Sequence, residues 1–518
     1  MTQAWPRHAA TDEDRSIHRA FDIPWAAVCF GVTGAWQRRI YHGRMLKTFL
    51  AARLMVAVAV LCTGAKVVGH EPVAVPGIDG PWHGAIFLAQ GMQLSMEVRF
   101  TLKDGVLSGV IDIPEQGAKA LTLAAVRYEH PSVHFELPAG IGRAKFDGHR
   151  DGDKIEGDFA QGAVKCKFTL QRGPLQPAAA AAPLPGVHTE VRIATDGYEL
   201  AGTLSLPEGK GPFPALIMVT GSGAQTRDEN VAGFALFRHL AEHLIAQGIA
   251  VLRYDDRGVG ASTGNFSNGS TINNAQDAEA CFLFLCKQPG IDPARCGILG
   301  HSEGGMVAPL VATRVDAVAF MVLLAPSCVK GDALLHRQGE LLLRAAGGTE
   351  AAVAAKHKLQ DAIFHWMRTG EGDDELKSLL DEEAVATYAQ MPADSRGDEA
   401  EFKANYQRQA KATFDNLWMR FFINYDPADV LRAVRCPTLA LFGARDLQVP
   451  PSQSKPAIEA AFADRPALLQ AVTMPQANHL FQKAFTGGVQ EYSMLAKTSV
   501  AGLREKISAF VLALPAKR

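Results

Sequence analysis

Gly300-His301-Ser302-Glu303-Gly304 follows the apolar run Cys296-Gly297-Ile298-Leu299 and opens the small, apolar stretch Gly305-Met306-Val307-Ala308. A bare Gly-x-Ser-x-Gly occurs by chance in many chains. Between a strand and a helix it reads as a tight, strained turn, and the residues two away from the serine must be small for that turn to close. Ser302 is therefore the candidate nucleophile. A serine hydroxyl attacks poorly until a base takes its proton, so a histidine and an acid are expected beside it in space.

Outward from this turn, strands and helices alternate. Residues 214–219 form a continuous apolar run, as in a strand buried on both faces. Residues 234–247 read as an amphipathic helix closed by Gly248, and 249–254 as the next strand. A helix near 275–287 precedes the Ser302 turn, and 319–324 and 438–442 are later strands. This order implies an α/β class, a mostly parallel sheet flanked by helices. Residues 331–425 interrupt it. They are long, charged and helical in pattern, and are expected to form a cap over the site.

A serine on such an elbow takes its acid and its histidine later in the chain, in that order. Asp446 follows the strand 438–442 in Gly443-Ala444-Arg445-Asp446. His479 ends Gln476-Ala477-Asn478-His479, just after the apolar run 468–472. Asp446 is expected to fix the tautomer of His479 and to stabilise its protonated form. The developing oxyanion needs backbone donors. The Glu303 amide is one candidate. The other lies in Thr220-Gly221-Ser222-Gly223-Ala224-Gln225, with Ser222 favoured and Gly223 as its neighbouring candidate. No Gly-Lys-Ser/Thr follows, so this is not a phosphate loop.

Together with Tyr254-Asp255-Asp256-Arg257-Gly258 and Asn478-His479-Leu480-Phe481-Gln482, these motifs resemble the bacterial EstD-type carboxylesterases. Those belong to the serine aminopeptidase-like and prolyl-oligopeptidase-like group of the α/β-hydrolase superfamily. The resemblance covers about residues 188–518. It implies an α/β-hydrolase fold, hydrolysis of short-chain acyl esters without cofactor or metal, and a non-catalytic N-terminal domain. A serine peptidase, or a thioester or lactone hydrolase, is the alternative. Ala224-Gln225-Thr226-Arg227-Asp228 departs from the Pro-Gln-Asp-Arg-Asp common among such proteins, a change expected to alter loop rigidity more than mechanism.

The 518 residues suggest more than one domain. From about 72 to 173, short alternating stretches are broken by turns such as Lys103-Asp104-Gly105, which reads as an all-β accessory domain. Residues 174–187, rich in proline and alanine, read as a linker. Residues 54–62 are apolar but too short to span a bilayer. With Lys47 and Arg53 before them and Thr63-Gly64-Ala65 after, residues 45–65 resemble an export signal starting at Met45. Residues 1–44 then read as a non-native or unstructured extension. The expected location is periplasmic or secreted, with a cytoplasmic or membrane-anchored protein as the alternative.

The formal net charge of −2, without a dense basic run, excludes nucleic acid as the expected partner and leaves a small-molecule ester. The eight cysteines show no metal or disulfide spacing and are expected to be buried apolar residues. His239-Leu240-Ala241-Glu242-His243 has the spacing of a zinc site, but its helix is expected to pack beside the sheet, with no metal. Arg257 is expected to pair with an acidic neighbour and hold its own loop.

Overall fold

A computed structural model describes residues 77–87, 93–113, 118–138, 143–161, 164–173, 183–389 and 398–517. The expected export signal at 45–65, the extension before it and most of the linker lie outside the described residues.

Among the described residues the N-terminal unit has nine strands: β1 (Gly80–Phe87), β2 (Gln93–Lys103), β3 (Val106–Ile113), β4 (Ala118–Thr122), β5 (Ala124–Glu129), β6 (Ser132–Pro138), β7 (Arg143–Asp151), β8 (Lys154–Gln161) and β9 (Val164–Arg172). They form one sheet in the order β4-β3-β2-β1-β9-β8-β7-β6-β5. Two-residue turns join β2 to β3, β5 to β6 and β7 to β8. At the first of these, Asp104 and Gly105 take φ of 52° and 73°, the left-handed pair a two-residue hairpin needs. Alternation along the strands turns Trp82, Val98, Phe100, Phe135, Phe146 and Phe168 into a single core. Phe135 stacks on Phe146 at 4.5 Å. Leu123, between β4 and β5, donates its amide to Gly109 O of β3 at 2.9 Å, curling the ends of the order toward each other.

The second unit is an eight-stranded sheet. Its strands are β10 (Val187–Ala194), β11 (Glu199–Leu206), β12 (Phe213–Val219), β15 (Ala250–Tyr254), β16 (Ile291–His301), β17 (Phe320–Leu324), β18 (Thr438–Gly443) and β19 (Leu469–Met474). A separate hairpin pairs β13 (Asn230–Val231) with β14 (Phe234–Ala235). The sheet order is β10-β11-β15-β12-β16-β17-β18-β19. β10 and β11 pair antiparallel at one edge, and all strands from β15 onward run parallel. Helices α1 (Leu236–Ala246) and α11 (Leu503–Ala513) cover one face. The other face packs on α2 (Thr271–Leu285), α3 (Gly304–Ala312), α9 (Ala428–Ala433) and α10 (Pro451–Ala461). Because both faces are covered, Ile217, Leu252 and Ile298 are completely buried, each contributing about 1.5–3 kcal/mol of hydrophobic stabilisation.

Between β17 and β18 the chain runs through α4 (Gly331–Ala345), α5 (Glu350–Thr369), α6 (Asp373–Tyr388), α7 (Glu399–Phe414) and α8 (Leu417–Phe422). Their apolar faces share a core with Met306, just past the Ser302 turn, and with Val449, just past Asp446. The helical insertion thus rests on the edge of the sheet that carries those residues.

One local reading differs from the structure. The helix expected from 234 begins at Leu236, because Ala232 and Gly233 at φ of 52° and 79° fold 230–235 into the β13–β14 hairpin. Arg257 has the expected acidic partner, Asp277 of α2 at 2.8 Å, and ties its loop to that helix through Asn273 O at 2.7 Å as well.

Candidate active site

The elements that carry the predicted site end at one edge of the sheet, the carboxyl end of the parallel strands, where crevices form in open α/β sheets. The loop after β12 supplies Ser222, the turn after β16 supplies Ser302, the loop after β18 supplies Asp446, and the loop after β19 supplies His479.

Ser302 sits at φ 54°, a left-handed conformation that an L-residue adopts at a cost of about 1–3 kcal/mol. Packing enforces it. The Ser302 amide donates to Leu324 O of β17 at 2.8 Å. A methyl group on Gly300 would lie 2.0 Å from Gly304 O, and one on Gly304 would lie 2.1 Å from Val219 O. The glycines of the pentapeptide are therefore required by contact, as the sequence pattern implies.

Asp446 and His479 are brought together. Both are buried, at 2% and 5% exposure. His479 Nδ1–H donates to Asp446 Oδ2 at 2.8 Å. The other oxygen, Oδ1, accepts the Gln448 and Val449 amides at 2.8 and 2.9 Å. The Asn478 side chain shapes the histidine loop, its Oδ1 accepting the amides of Leu480 and Gln482 at 3.0 and 2.8 Å. Gly443 is pressed against this loop, since a Cβ there would meet Asn478 O at 2.5 Å. Among the described residues no hydrogen bond joins Ser302 to His479. Such contacts commonly tighten only once substrate is bound.

The loop after β12 lies against the serine. A methyl on Gly221 would stand 3.2 Å from Ser302 Cβ. Among the described residues, the amides of Gly221, Gln225 and Arg227 have side-chain acceptors, whereas none is found for those of Ser222 and Glu303. Gly223 follows at φ 94°, a conformation suited to glycine.

Sequence reasoning missed what holds this loop. Asp256, just after β15, accepts the Thr220 hydroxyl at 3.0 Å and the Gln225 amide at 2.8 Å. Burial pushes its carboxyl well above the ordinary range, against the pull of those two bonds. Asp255 is gripped by Arg227, whose Nε and Nη2 donate at 3.0 and 2.8 Å. The Asp-Asp pair is thus a double tether for the loop after β12. Its only sequence signal was two adjacent acids at a strand end.

Glu303 was singled out only for its backbone amide, yet its side chain is equally constrained. Oε1 accepts Thr271 Oγ1 and Trp418 Nε1, both at 2.7 Å, and Asn274 Nδ2 at 3.3 Å. Burial raises this carboxyl, opposed by the bonds from Thr271, Trp418, Ser222 and Asn274. Trp418 belongs to α8, so the helical insertion touches the residue next to the serine. Trp366, the other tryptophan of the insertion, is engaged by Lys411 and Arg420. His239 and His243 turn their Nε2 atoms to Ser499 and Ser508, both at 3.0 Å.

Residues 234–480 match the sequence model of the family described as serine aminopeptidase, S33. Esterase EstD of Thermotoga maritima is 26% identical over 252 residues, 48% of this chain and 50% of that protein. The mitochondrial acyl-coenzyme A thioesterase 2 of Homo sapiens is 25% identical over 228 residues, 43% of this chain and 42% of that protein. The chain thus spans about half or less of the length of these curated relatives. A solved structure of the Pyrococcus furiosus esterase Pf2001 aligns with 63% of this chain and 88% of its own at 14% identity and a TM-score of 0.36.

Proposed function

We propose, on the premise that this chain resembles the EstD-type carboxylesterases of the α/β-hydrolase superfamily, that it is a serine hydrolase cleaving carboxylic esters with short acyl chains. The observation that carries the reading is the buried His479–Asp446 pair on the sheet edge that presents the strained Ser302. Asp446 keeps the proton of His479 on Nδ1, leaving Nε2 as the base. His479 takes the Ser302 proton as the hydroxyl oxygen attacks the ester carbonyl. The Ser222 and Glu303 amides, with Gly223 as the neighbouring donor candidate, hold the oxyanion. His479 then protonates the leaving alcohol, and later activates the water that releases the acid from Ser302. No cofactor or metal takes part in this scheme.

A second reading, thioester hydrolysis, is favoured by the thioesterase among the relatives. The same residues would serve it, with a thiolate as leaving group. The discriminating assay compares p-nitrophenyl acetate and butyrate, an acyl-coenzyme A and aminoacyl p-nitroanilides, with Ser302→Ala as control. Esters are expected to turn over fastest. Faster thioester or anilide cleavage would move the assignment to those classes, and equal inactivity of wild type and S302A on all of them would remove the enzyme reading. Export from the cell remains part of the proposal, and N-terminal sequencing of the mature protein tests it. A mature chain retaining residues before Met45 would exclude a start at Met45. Among the described residues no helix is long and apolar enough to cross a membrane.

A further inference from the structure

Behind the Ser302 turn lies a second carboxylate–imidazole pair that the mechanism above does not use. Glu229 and His301 are 1% and 2% exposed. His301 Nδ1 meets Glu229 Oε1 at 2.8 Å, and its Nε2 meets the backbone oxygen of His479 at 3.0 Å. The same Glu229 oxygen accepts the Gly221 amide at 2.7 Å. One pair therefore touches three loops, those bearing the serine, the histidine and the candidate oxyanion donor. We propose that Glu229 and His301 are positioning residues, a buried ion-paired clamp that holds the His479 backbone and the Gly221–Ser222 loop in register with Ser302. The proposal rests on the reading of Ser302 and His479 as the reacting pair.

Hydrogen-bond accounting supports it. Both ring nitrogens of His301 face acceptors, and a neutral imidazole has one N–H. The pair must therefore hold one proton more than a carboxylate and a neutral ring. Glu229 Oε1 already accepts an amide proton, which favours a carboxylate facing an imidazolium. Burial alone would lower the basicity of His301. The charge and hydrogen bond of Glu229, the His479 carbonyl and the nearby Asp446 outweigh it, holding His301 above the ordinary imidazole range. The charged or titratable groups facing the pair are Asp446, Asp256 and the His479 ring, whose centroid lies 4.8 Å from that of His301. Glu229 stands at φ 47° beside the β13–β14 hairpin, its amide bonded to Thr226 O at 2.9 Å and its carbonyl accepting the Leu236 amide at 3.3 Å. Its carboxylate is thus delivered by a constrained turn.

The sign of the pH effect follows. His301 is protonated below its raised value and loses a donor as pH climbs through it, releasing either the His479 carbonyl or Glu229. The wild-type kcat profile is then expected to carry an alkaline limb that His301→Gln lacks. Both Glu229→Gln and His301→Gln are expected to lower kcat by about 100-fold, the usual penalty for a misplacement near 1 Å, with KM changed less than about twofold. Because the residues act as a unit, the double variant should lose no more than the worse single one. Independently of activity, 15N NMR of histidine-labelled wild type should show both His301 nitrogens protonated at neutral pH. Wild-type kcat in either folded variant, additive losses, or a neutral His301 would overturn the clamp. A wild type that neither hydrolyses esters nor labels at Ser302 with a fluorophosphonate would instead overturn the hydrolase reading, and the NMR result would still decide the state of His301.

Discussion

Replacing Asp446 by asparagine changes one atom, and the structure determines what the new amide does. In the wild type, Oδ1 accepts two backbone amides and Oδ2 accepts His479 Nδ1–H. Asparagine has one acceptor oxygen and one NH2 donor. If its oxygen faces His479, its NH2 faces the Gln448 and Val449 amides, and two buried donors lose their acceptor. Each such loss costs about 1–3 kcal/mol, so this orientation is disfavoured by about 2–6 kcal/mol. In the opposite orientation both amides stay satisfied, but the NH2 now donates to His479 Nδ1. That moves the imidazole proton to Nε2, where the base should be. The productive tautomer then falls to about one molecule in thirty at best and about one in ten thousand at worst, from about 1.4 kcal/mol per factor of ten. Asp446→Asn is expected to lower kcat on p-nitrophenyl butyrate by about 30-fold to 10⁴-fold while the thermal midpoint stays near wild type. A folded variant that keeps more than about a tenth of wild-type kcat would refute this account of the carboxylate's role.

Three further outcomes follow from contacts already described. Gly304→Ala places a methyl 2.1 Å from Val219 O, and the backbone shift that relieves it should destabilise by about 1–3 kcal/mol and cut kcat about 100-fold, read by thermal melting and ester turnover; wild-type values in both would contradict the packing. Trp418→Phe keeps the ring stacked on Phe422, 4.7 Å away, but removes the donor to Glu303, a charged-group hydrogen bond of about 1.5–3 kcal/mol; kcat/KM should fall about tenfold, and no change would mean the α8 contact is irrelevant to the site. Arg227→Ala strips Asp255 of its guanidinium partner and should cost about 3 kcal/mol in urea denaturation at neutral pH. Burial raises the Asp255 carboxyl, yet the Arg227 bond and nearby amides bring it below its ordinary value, so the wild-type advantage is present above the unfolded carboxylate range and should shrink as pH falls through the lowered folded value. An advantage independent of pH would show that the pair is not its source.

The α/β sheet was legible because its central strands are buried on both faces. Residues 214–219 and 439–442 read as unbroken apolar runs for that reason, and the structure places strands there. The Ser302 and Asp446 loops were legible because each follows a strand that ends in such a run, and the His479 loop because it follows the mostly apolar edge strand β19. The edge strand β10 gave no comparable signal, since it is largely exposed. The start of α1 was misread because its hairpin depends on left-handed turns at Ala232 and Gly233, a local geometry that hydrophobic periodicity does not encode. The clamp was invisible for a different reason. Glu229 and His301 are 72 residues apart in the chain, and each alone reads as an ordinary polar residue. Only the closing of the loops around Ser302 brings them together. Asp256 and Trp418 likewise act through partners that no spacing rule could assign.

The strand order of the N-terminal sheet has a mechanical consequence. Its first and last strands, β1 and β9, are antiparallel neighbours, with Trp82 opposite Arg172. The chain therefore enters and leaves this unit at the same end. There the Gly173 amide bonds to Pro81 O at 2.8 Å and Arg172 Nη1 to Asp79 O at 2.9 Å. Tension applied between the two ends would not shear the β1–β9 ladder, in which case all its bonds would share the load. It would peel the strands apart from Gly173 inward, one bond after another. A force far smaller than that needed to rupture the ladder at once would open the sheet at this seam, making it the unit's weakest line under load.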